Sequence, residues 1–166
     1  MKISEVRLQN FRNIRDVCWK PNERLNFLIG GNGEGKTSIL EAIAYLSSLR
    51  SFRESPVEEL VKHAAASGII DATLEWKGES ESSWKTQFHV LMSQHSDSGR
   101  WMRQASINGK PYKSSLAYVS QRFHTQNLGF HAVVFNPSDH DLIRGAPAGR
   151  RQYLDRTIAA ESLDAL

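Results

Sequence analysis

The most definite chemistry in this sequence lies in Gly30-Gly31-Asn32-Gly33-Glu34-Gly35-Lys36-Thr37, which matches the pattern G-x-x-x-x-G-K-[ST] in full. Each residue type has a physical task in a cradle for polyphosphate. The glycines let the backbone turn tightly and aim successive N–H groups inward. A helix beginning at the end of the loop adds partial positive charge where phosphates would sit. The Lys36 ammonium is spaced to reach β- and γ-phosphates. The Thr37 hydroxyl is spaced to ligate Mg²⁺, and Ser38, in the first helical turn, to donate to the α-phosphate. The pattern therefore points to a purine nucleoside triphosphate, ATP, as ligand. The competing reading is a glycine-rich loop that caps a helix by chance, and both the length of the match and its flanks argue against it.

Those flanks are the elements that must position the loop. Leu25 to Ile29 is a short apolar run ending in glycine, which predicts a buried strand. Lys36 to Leu49 predicts a helix, with Ile39, Ile43 and Leu46 on one face and Leu40 beside them. Upstream, residues 2–9 and 14–19 read as strands around a polar joint, Asn10-Phe11-Arg12-Asn13. Downstream, Ser55-Pro56-Val57-Glu58 predicts a short helix to about His63, with Ser55 as cap and Glu58 closing a capping box. Residues 69–76, 84–92 and 101–107 predict three strands with polar linkers, and Asn108-Gly109 is a hairpin signal. This stretch predicts an antiparallel meander. A helix near 114–124, a strand at 132–135, a short helix from Asn136-Pro137-Ser138 to Arg144, and a last helix opened by Pro147 complete the pattern.

Composition limits the classes. The 166 residues suffice for one domain with a core, and 40% hydrophobic against 23% charged residues fits a globular chain. No run approaches the roughly 18 apolar residues of a membrane span. The opening Met1-Lys2-Ile3-Ser4-Glu5-Val6 alternates like a strand and lacks an apolar signal core, which predicts a cytoplasmic location. Cys18 is the only cysteine, so neither an internal disulfide nor a cysteine metal cluster is available, and its apolar-rich strand predicts a buried packing role. The net charge of +3, from 21 Lys+Arg against 18 Asp+Glu, permits nucleic-acid contact without requiring it.

A phosphate cradle alone gives no reaction. Hydrolysis also needs a carboxylate at the end of a second strand and a group to orient water. Ile69-Ile70-Asp71 has only two apolar residues before its acid, and Asp71 reads as an outward strand residue. Ala132-Val133-Val134-Phe135 is followed by Asn136. An Asn-Lys-x-Asp guanine-reading motif is absent, which argues against a small GTPase. The catalytic residues are unknown from this sequence. The second half of the machinery must come from a partner or from further chain, and the ending within a helix favours the latter.

Several segments carry a resemblance. Val6-Arg7-Leu8-Gln9-Asn10-Phe11-Arg12-Asn13-Ile14, the continuation of the loop into Thr37-Ser38-Ile39-Leu40-Glu41-Ala42-Ile43, and Ser51-Phe52-Arg53 are three of them. The most specific is Val133-Val134-Phe135-Asn136-Pro137-Ser138-Asp139 followed by Gly145-Ala146-Pro147, Arg150-Arg151 and Leu154-Asp155. Their order resembles the N-terminal part of RecF, a bacterial family of DNA-repair ATPases related to SMC-type and ABC-type heads. Where the family has Glu between the Pro and Asp of the fourth segment, this chain has Ser138. The family's signature segment and its Asp-Glu pair are not in this chain.

The resemblance implies an α/β fold. It would be a P-loop core, about 1–65 and 125–140, forming lobe I of an ABC/SMC-like head, with an antiparallel β subdomain at about 66–112 and the start of a helical arm at about 138–166. It implies ATP and Mg²⁺ as cofactors and an ATP-dependent homodimer of the full-length protein. That dimer would clamp duplex DNA near single-strand gaps and, with RecO and RecR, aid loading of the recombinase. ATP hydrolysis would belong to the full-length protein, and this chain alone would bind ATP without turnover.

The remaining candidates have competing readings. Arg12 lies in a turn that in similar heads approaches the phosphates; a surface arginine is the alternative. Arg53 suits a nucleotide or subunit contact. Asp139 sits where similar heads sense the γ-phosphate, but a carboxylate at a helix start is the simpler reading. Arg144, Arg150, Arg151 and Arg156 form one basic cluster for DNA, and Arg100, Arg103, Lys110 and Lys113 a second. Trp19, Trp76, Trp84 and Trp101 fall in predicted strands and read as packing residues. The histidines show no ligand spacing. A self-contained P-loop kinase acting on a small molecule is the rival function, and a DNA-binding module with a vestigial loop is a third, against which the intact Gly35-Lys36-Thr37 speaks.

Overall fold

The computed structural model describes residues 1–77, 83–123 and 130–136, with single positions between 139 and 154. Strands β1 (Lys2–Phe11) and β2 (Ile14–Trp19) form a hairpin. Helix α1 (Lys36–Ser48) and the one-turn helix α2 (Val57–Leu60) follow. Strands β3 (Ser67–Lys77), β4 (Ser83–Gln94), β5 (Trp101–Ile107) and β6 (Lys110–Tyr112) form the meander. Helix α3 (Ser115–Val119) continues into a 3-10 turn at Ser120–Phe123.

One antiparallel sheet in the order β2-β1-β3-β4-β5-β6 joins the hairpin to the meander, because β1 pairs with both β2 and β3. Its register makes continuous apolar rows on one face. Val6, Ala72, Phe88 and Ile107 are neighbours across four strands, as are Leu8, Ile70, Val90 and Ala105. All eight are buried. The period of two in each strand sends the intervening residues to the other face, where Asp71 meets His89 Nδ1 at 2.6 Å. Asp71 is thus the outward strand residue expected of it. Burying each large apolar side chain in these rows contributes roughly 1.5–3 kcal/mol.

Helix α1 packs on the apolar face, but with a different stripe from the expected one. Ser38, Glu41, Ala42, Tyr45, Leu46 and Leu49 are buried, Ile39 and Ile43 are half-buried and Leu40 is exposed. Tyr118 on α3 fastens to α1, its hydroxyl donating to the Leu46 carbonyl at 2.9 Å.

Other expectations need correction. Residues 25–29 and 132–135 do not form strands. They have no regular secondary structure and no neighbouring ladder among the described residues, and Leu25, Phe27, Ile29, Val133 and Phe135 are exposed. An apolar run becomes a strand only when a partner takes up its backbone groups. Cys18 is exposed, because β2 is an edge strand and Cys18 shares the outward face with Arg7, its register partner. Helix α2 ends at Leu60, and its cap is Pro56 with no side-chain hydrogen bond, so neither Ser55 nor Glu58 closes a capping box. The Asn108-Gly109 hairpin is present, with both residues at positive φ (50° and 77°). Trp76 and Trp84 stack in parallel at 6.3 Å as cross-strand partners. The predicted helices at 136–144 and from Pro147, with Arg144 and Arg156, lie largely outside the described residues.

Candidate functional site

The Gly30–Thr37 loop lies between residues 25–29 and α1, and its end is the N-terminus of that helix. Gly35 is the N-cap, left-handed at φ 95°, and supplies no side-chain hydrogen bond to the first turn. A serine or aspartate there would occupy one of the free helix amides. Glycine leaves them available to an anion. Its lack of a Cβ is required twice, because a Cβ at Gly35 would also stand 3.0 Å from Ile14 of β2.

Within the loop the charged side chains turn inward. Lys36 Nζ donates to the carbonyls of Gly30 at 2.8 Å and Gly31 at 2.6 Å, so the loop wraps around its own ammonium. The Glu34 carboxylate accepts from the Gly31 N–H at 2.8 Å. Thr37 is exposed at the helix start. Its hydroxyl is the group that the loop pattern offers to a magnesium ion. Among the described residues no group of three or more His, Cys, Asp or Glu could hold a metal by itself.

An open cleft of about 1130 Å³ lies against the loop, walled by Asn32 to Ser38, by Arg12 and Asn13, by Arg53, by Glu58 and Glu59, and by Val61 to His63. The two-residue turn Arg12-Asn13 joins β1 to β2, with Arg12 at φ 54°. It is clamped on the segment after α2 by Arg12 N–H to the Leu60 carbonyl at 2.7 Å and Lys62 N–H to the Asn10 carbonyl at 2.8 Å. Gly68 permits the close approach, since a Cβ there would meet the Asn10 carbonyl at 2.8 Å.

Arg12 lies on the cleft wall, but all three guanidine nitrogens are engaged. Nε and Nη2 donate to Glu41 at 3.0 and 2.6 Å, and Nη1 donates to the Glu59 carbonyl at 3.0 Å. Ser38 is buried, its hydroxyl donating to Asn13 Oδ1 at 3.0 Å. The Asn13 amide in turn donates to the Gly33 carbonyl. Asn13 therefore straps the phosphate loop to the first helical turn. Sequence reasoning placed Asn13 only in a polar joint and missed its role. It missed Glu41 too, although an acid four residues after Thr37 on the buried stripe of an amphipathic helix is itself a signal.

The other candidates fall elsewhere. Asp139 accepts the Asn136 N–H at 2.7 Å and donates its own N–H to the Asn136 carbonyl at 3.0 Å. Arg103 is on the core-side face of β5, where it donates to Ser115 Oγ at 2.5 Å, and Lys110 stands over the Tyr112 ring. They do not make a common surface with the cleft. Arg150 and Arg151 are exposed.

Residues 2–131 match the family described as RecF/RecN/SMC N terminal domain. The chain is 35% identical over 156 residues to the DNA replication and repair protein RecF of Anaeromyxobacter sp. (strain Fw109-5), a match covering 94% of this chain and 37% of that protein. Against RecF of Exiguobacterium sp. (strain ATCC BAA-1283 / AT1b) it is 30% identical over 163 residues, covering 98% and 38%. A solved structure of the recombination mediator protein RecF with ATP, in the RecFOR pathway, is similar with a TM-score of 0.78 at 27% identity, over 98% of this chain and 39% of that one. A structure from work on ATP-driven dimerization of SMC ATPases is similar in fold, with a TM-score of 0.68 at 17% identity. The chain thus spans less than two fifths of the length of the curated relatives it matches. The fold is the α/β lobe of an ABC/SMC-type P-loop ATPase head.

Proposed function

The chain belongs to the RecF/RecN/SMC N-terminal domain family, and on that premise we propose that it is the ATP-binding lobe of a DNA replication and repair protein of RecF type. The observation that carries this reading is the glycine-capped N-terminus of α1, with its amides left uncapped beside the Lys36 ammonium at the mouth of a cleft large enough for a nucleotide. In this reading the amides of the loop and Lys36 hold the β- and γ-phosphates, Thr37 ligates Mg²⁺, and Ser38 releases Asn13 to meet the α-phosphate. Arg12 supports the cleft wall through Glu41 and meets phosphate with whatever donor capacity remains.

The finer assignments rest on similarity. Relatives named RecF, one of them solved with ATP, support an ATP-switched homodimer of the longer protein on duplex DNA near single-strand gaps, working in the cytoplasm with RecO and RecR. No helix among the described residues is long and apolar enough to cross a membrane. Hydrolysis requires residues this chain does not supply, so the lobe by itself is expected to bind without turnover.

Calorimetry with Mg-ATP tests the reading. The parent binds, and Lys36→Ala loses measurable binding, since each charge-assisted hydrogen bond to phosphate is worth roughly 1.5–3 kcal/mol. A Lys36→Ala protein that binds as tightly as the parent overturns the site. Multiple turnover of ATP by the isolated chain as a monomer would replace the proposal with the small-molecule kinase.

A further inference from the structure

Glu41 has a fully buried carboxylate with three partners, and the two cations among them both reach the wall of the cleft. Arg12 grips it through two nitrogens. Ser51 donates its hydroxyl to Oε1 at 2.5 Å, and Arg53 Nη1 stands 3.8 Å from Oε2. The same Ser51 oxygen accepts the Arg53 backbone N–H at 3.0 Å. A single hydroxyl therefore links the buried acid to the main chain that bears Arg53.

The two arginines are held differently. The Arg12 side chain is 14% exposed and has each of its three guanidine nitrogens engaged. It serves as the countercharge without which a buried carboxylate would be strongly unfavourable. The Arg53 side chain is 42% exposed and touches Glu41 only at ion-pair distance. Its planar fork retains donors directed by this tether beside the phosphate loop. One buried carboxylate thus lies between two guanidiniums, and Arg12 also stands 3.9 Å from Glu59 Oε2, which leaves Arg53 the less neutralised of the two. A structural role alone would need only the Arg12–Glu41 pair.

We propose that Glu41 and Ser51 are positioning residues that present the Arg53 guanidinium to the phosphates of the bound nucleotide. The inference rests on the nucleotide reading above and deepens it: the cradle has a second cation, Arg53, set from behind by a buried acid. Helix α1 then serves the ligand twice, through its N-terminal amides and through Glu41, one turn further along.

The test is a double-mutant cycle on Mg-ATP affinity, with thermal unfolding as control. Arg53→Ala is expected to weaken binding about tenfold, as for one charge-assisted hydrogen bond lost at a half-exposed site. Ser51→Ala, which removes no charge, is expected to weaken it about threefold to tenfold in the Arg53 background and to add nothing once Arg53 is alanine. Glu41→Gln should do the same with a larger stability loss; if it does not fold, the Ser51 cycle decides. Ser51→Ala with parental affinity, or effects of Ser51→Ala and Arg53→Ala that simply add, overturns the proposal. These results are distinct from failure of the nucleotide reading, in which the parent itself gives no binding heat with Mg-ATP.

Discussion

The far end of the sheet and the end at the β1–β2 turn are held together by different physics. At the far end, Phe88 of β4 meets Tyr118 and Phe130 edge to face, at 6.4 and 5.4 Å, and Tyr112 meets Tyr118 at 5.9 Å. Pairing between β3 and β4 runs unbroken from Ser67 to Lys77. At the turn, short segments with left-handed Asn10 and Arg12 are fastened by hydrogen bonds among Arg12, Asn13, Ser38, Glu41, Ser51 and Arg53. Apolar contact is non-directional and roughly proportional to area, so it gives stability that tolerates small shifts. Polar cross-links contribute less net energy but fix direction, and a broken one leaves a buried charge or dipole unpaired. The proposed nucleotide site lies at the end where direction matters.

The comparison breaks most visibly if the aromatic end governs binding. Phe88→Ala should cost about 3–5 kcal/mol of stability, as for other buried phenylalanines. Below its lowered melting temperature, however, it should bind Mg-ATP with parental affinity. Calorimetry finding weak binding in the still-folded variant would erase the division between the two ends.

Gly35→Ala should couple both properties. It places a Cβ at a left-handed N-cap and 3.0 Å from Ile14, for a cost of about 1–3 kcal/mol, and it shifts the amides that meet phosphate. Thermal melts and binding should therefore worsen together; a variant with intact affinity would mean the loop tolerates displacement.

Alkaline titration should register at the buried phenols. Burial raises Tyr45, Tyr112 and Tyr118 above the ordinary 10.0, in each case chiefly by desolvation. The folded phenols therefore keep their protons where the unfolded ones lose theirs. This stability is fully present below pH 10.0 and is lost as pH rises toward the folded values, by up to about 1.4 kcal/mol per pH unit for each group. Denaturant midpoints that stay flat from pH 8 to about 11 would contradict the burial of these rings.

The smallest effect is expected from Asn13→Ala. Losing the strap between Gly33 and Ser38 should cost about 1 kcal/mol of stability. It should weaken Mg-ATP by several-fold, a difference that titration calorimetry resolves. Unchanged affinity would make Asn13 a turn residue only.

How legible the molecule was in its sequence follows the same division. The meander, the hairpin at Asn108-Gly109 and α1 were legible because alternation, turn chemistry and helical period are local signals. The runs at Leu25–Ile29 and Ala132–Phe135 carry equally good strand signals and form no strand, because pairing is a property of neighbours rather than of the segment. Cys18 misled for a similar reason: its apolar surroundings said strand, while only the sheet order makes that strand an edge.

The sequence by itself determined the phosphate loop, since backbone amides, a small N-cap and a lysine at fixed spacing need only the first turn of one helix. Tertiary structure decided what surrounds it. Glu41 is an ordinary helix acid until the sheet buries it, and Arg12, Ser51 and Arg53 lie 29, 10 and 12 residues away in the chain. A buried carboxylate must collect its partners from wherever the fold brings donors within about 3 Å, and no local pattern encodes that distance.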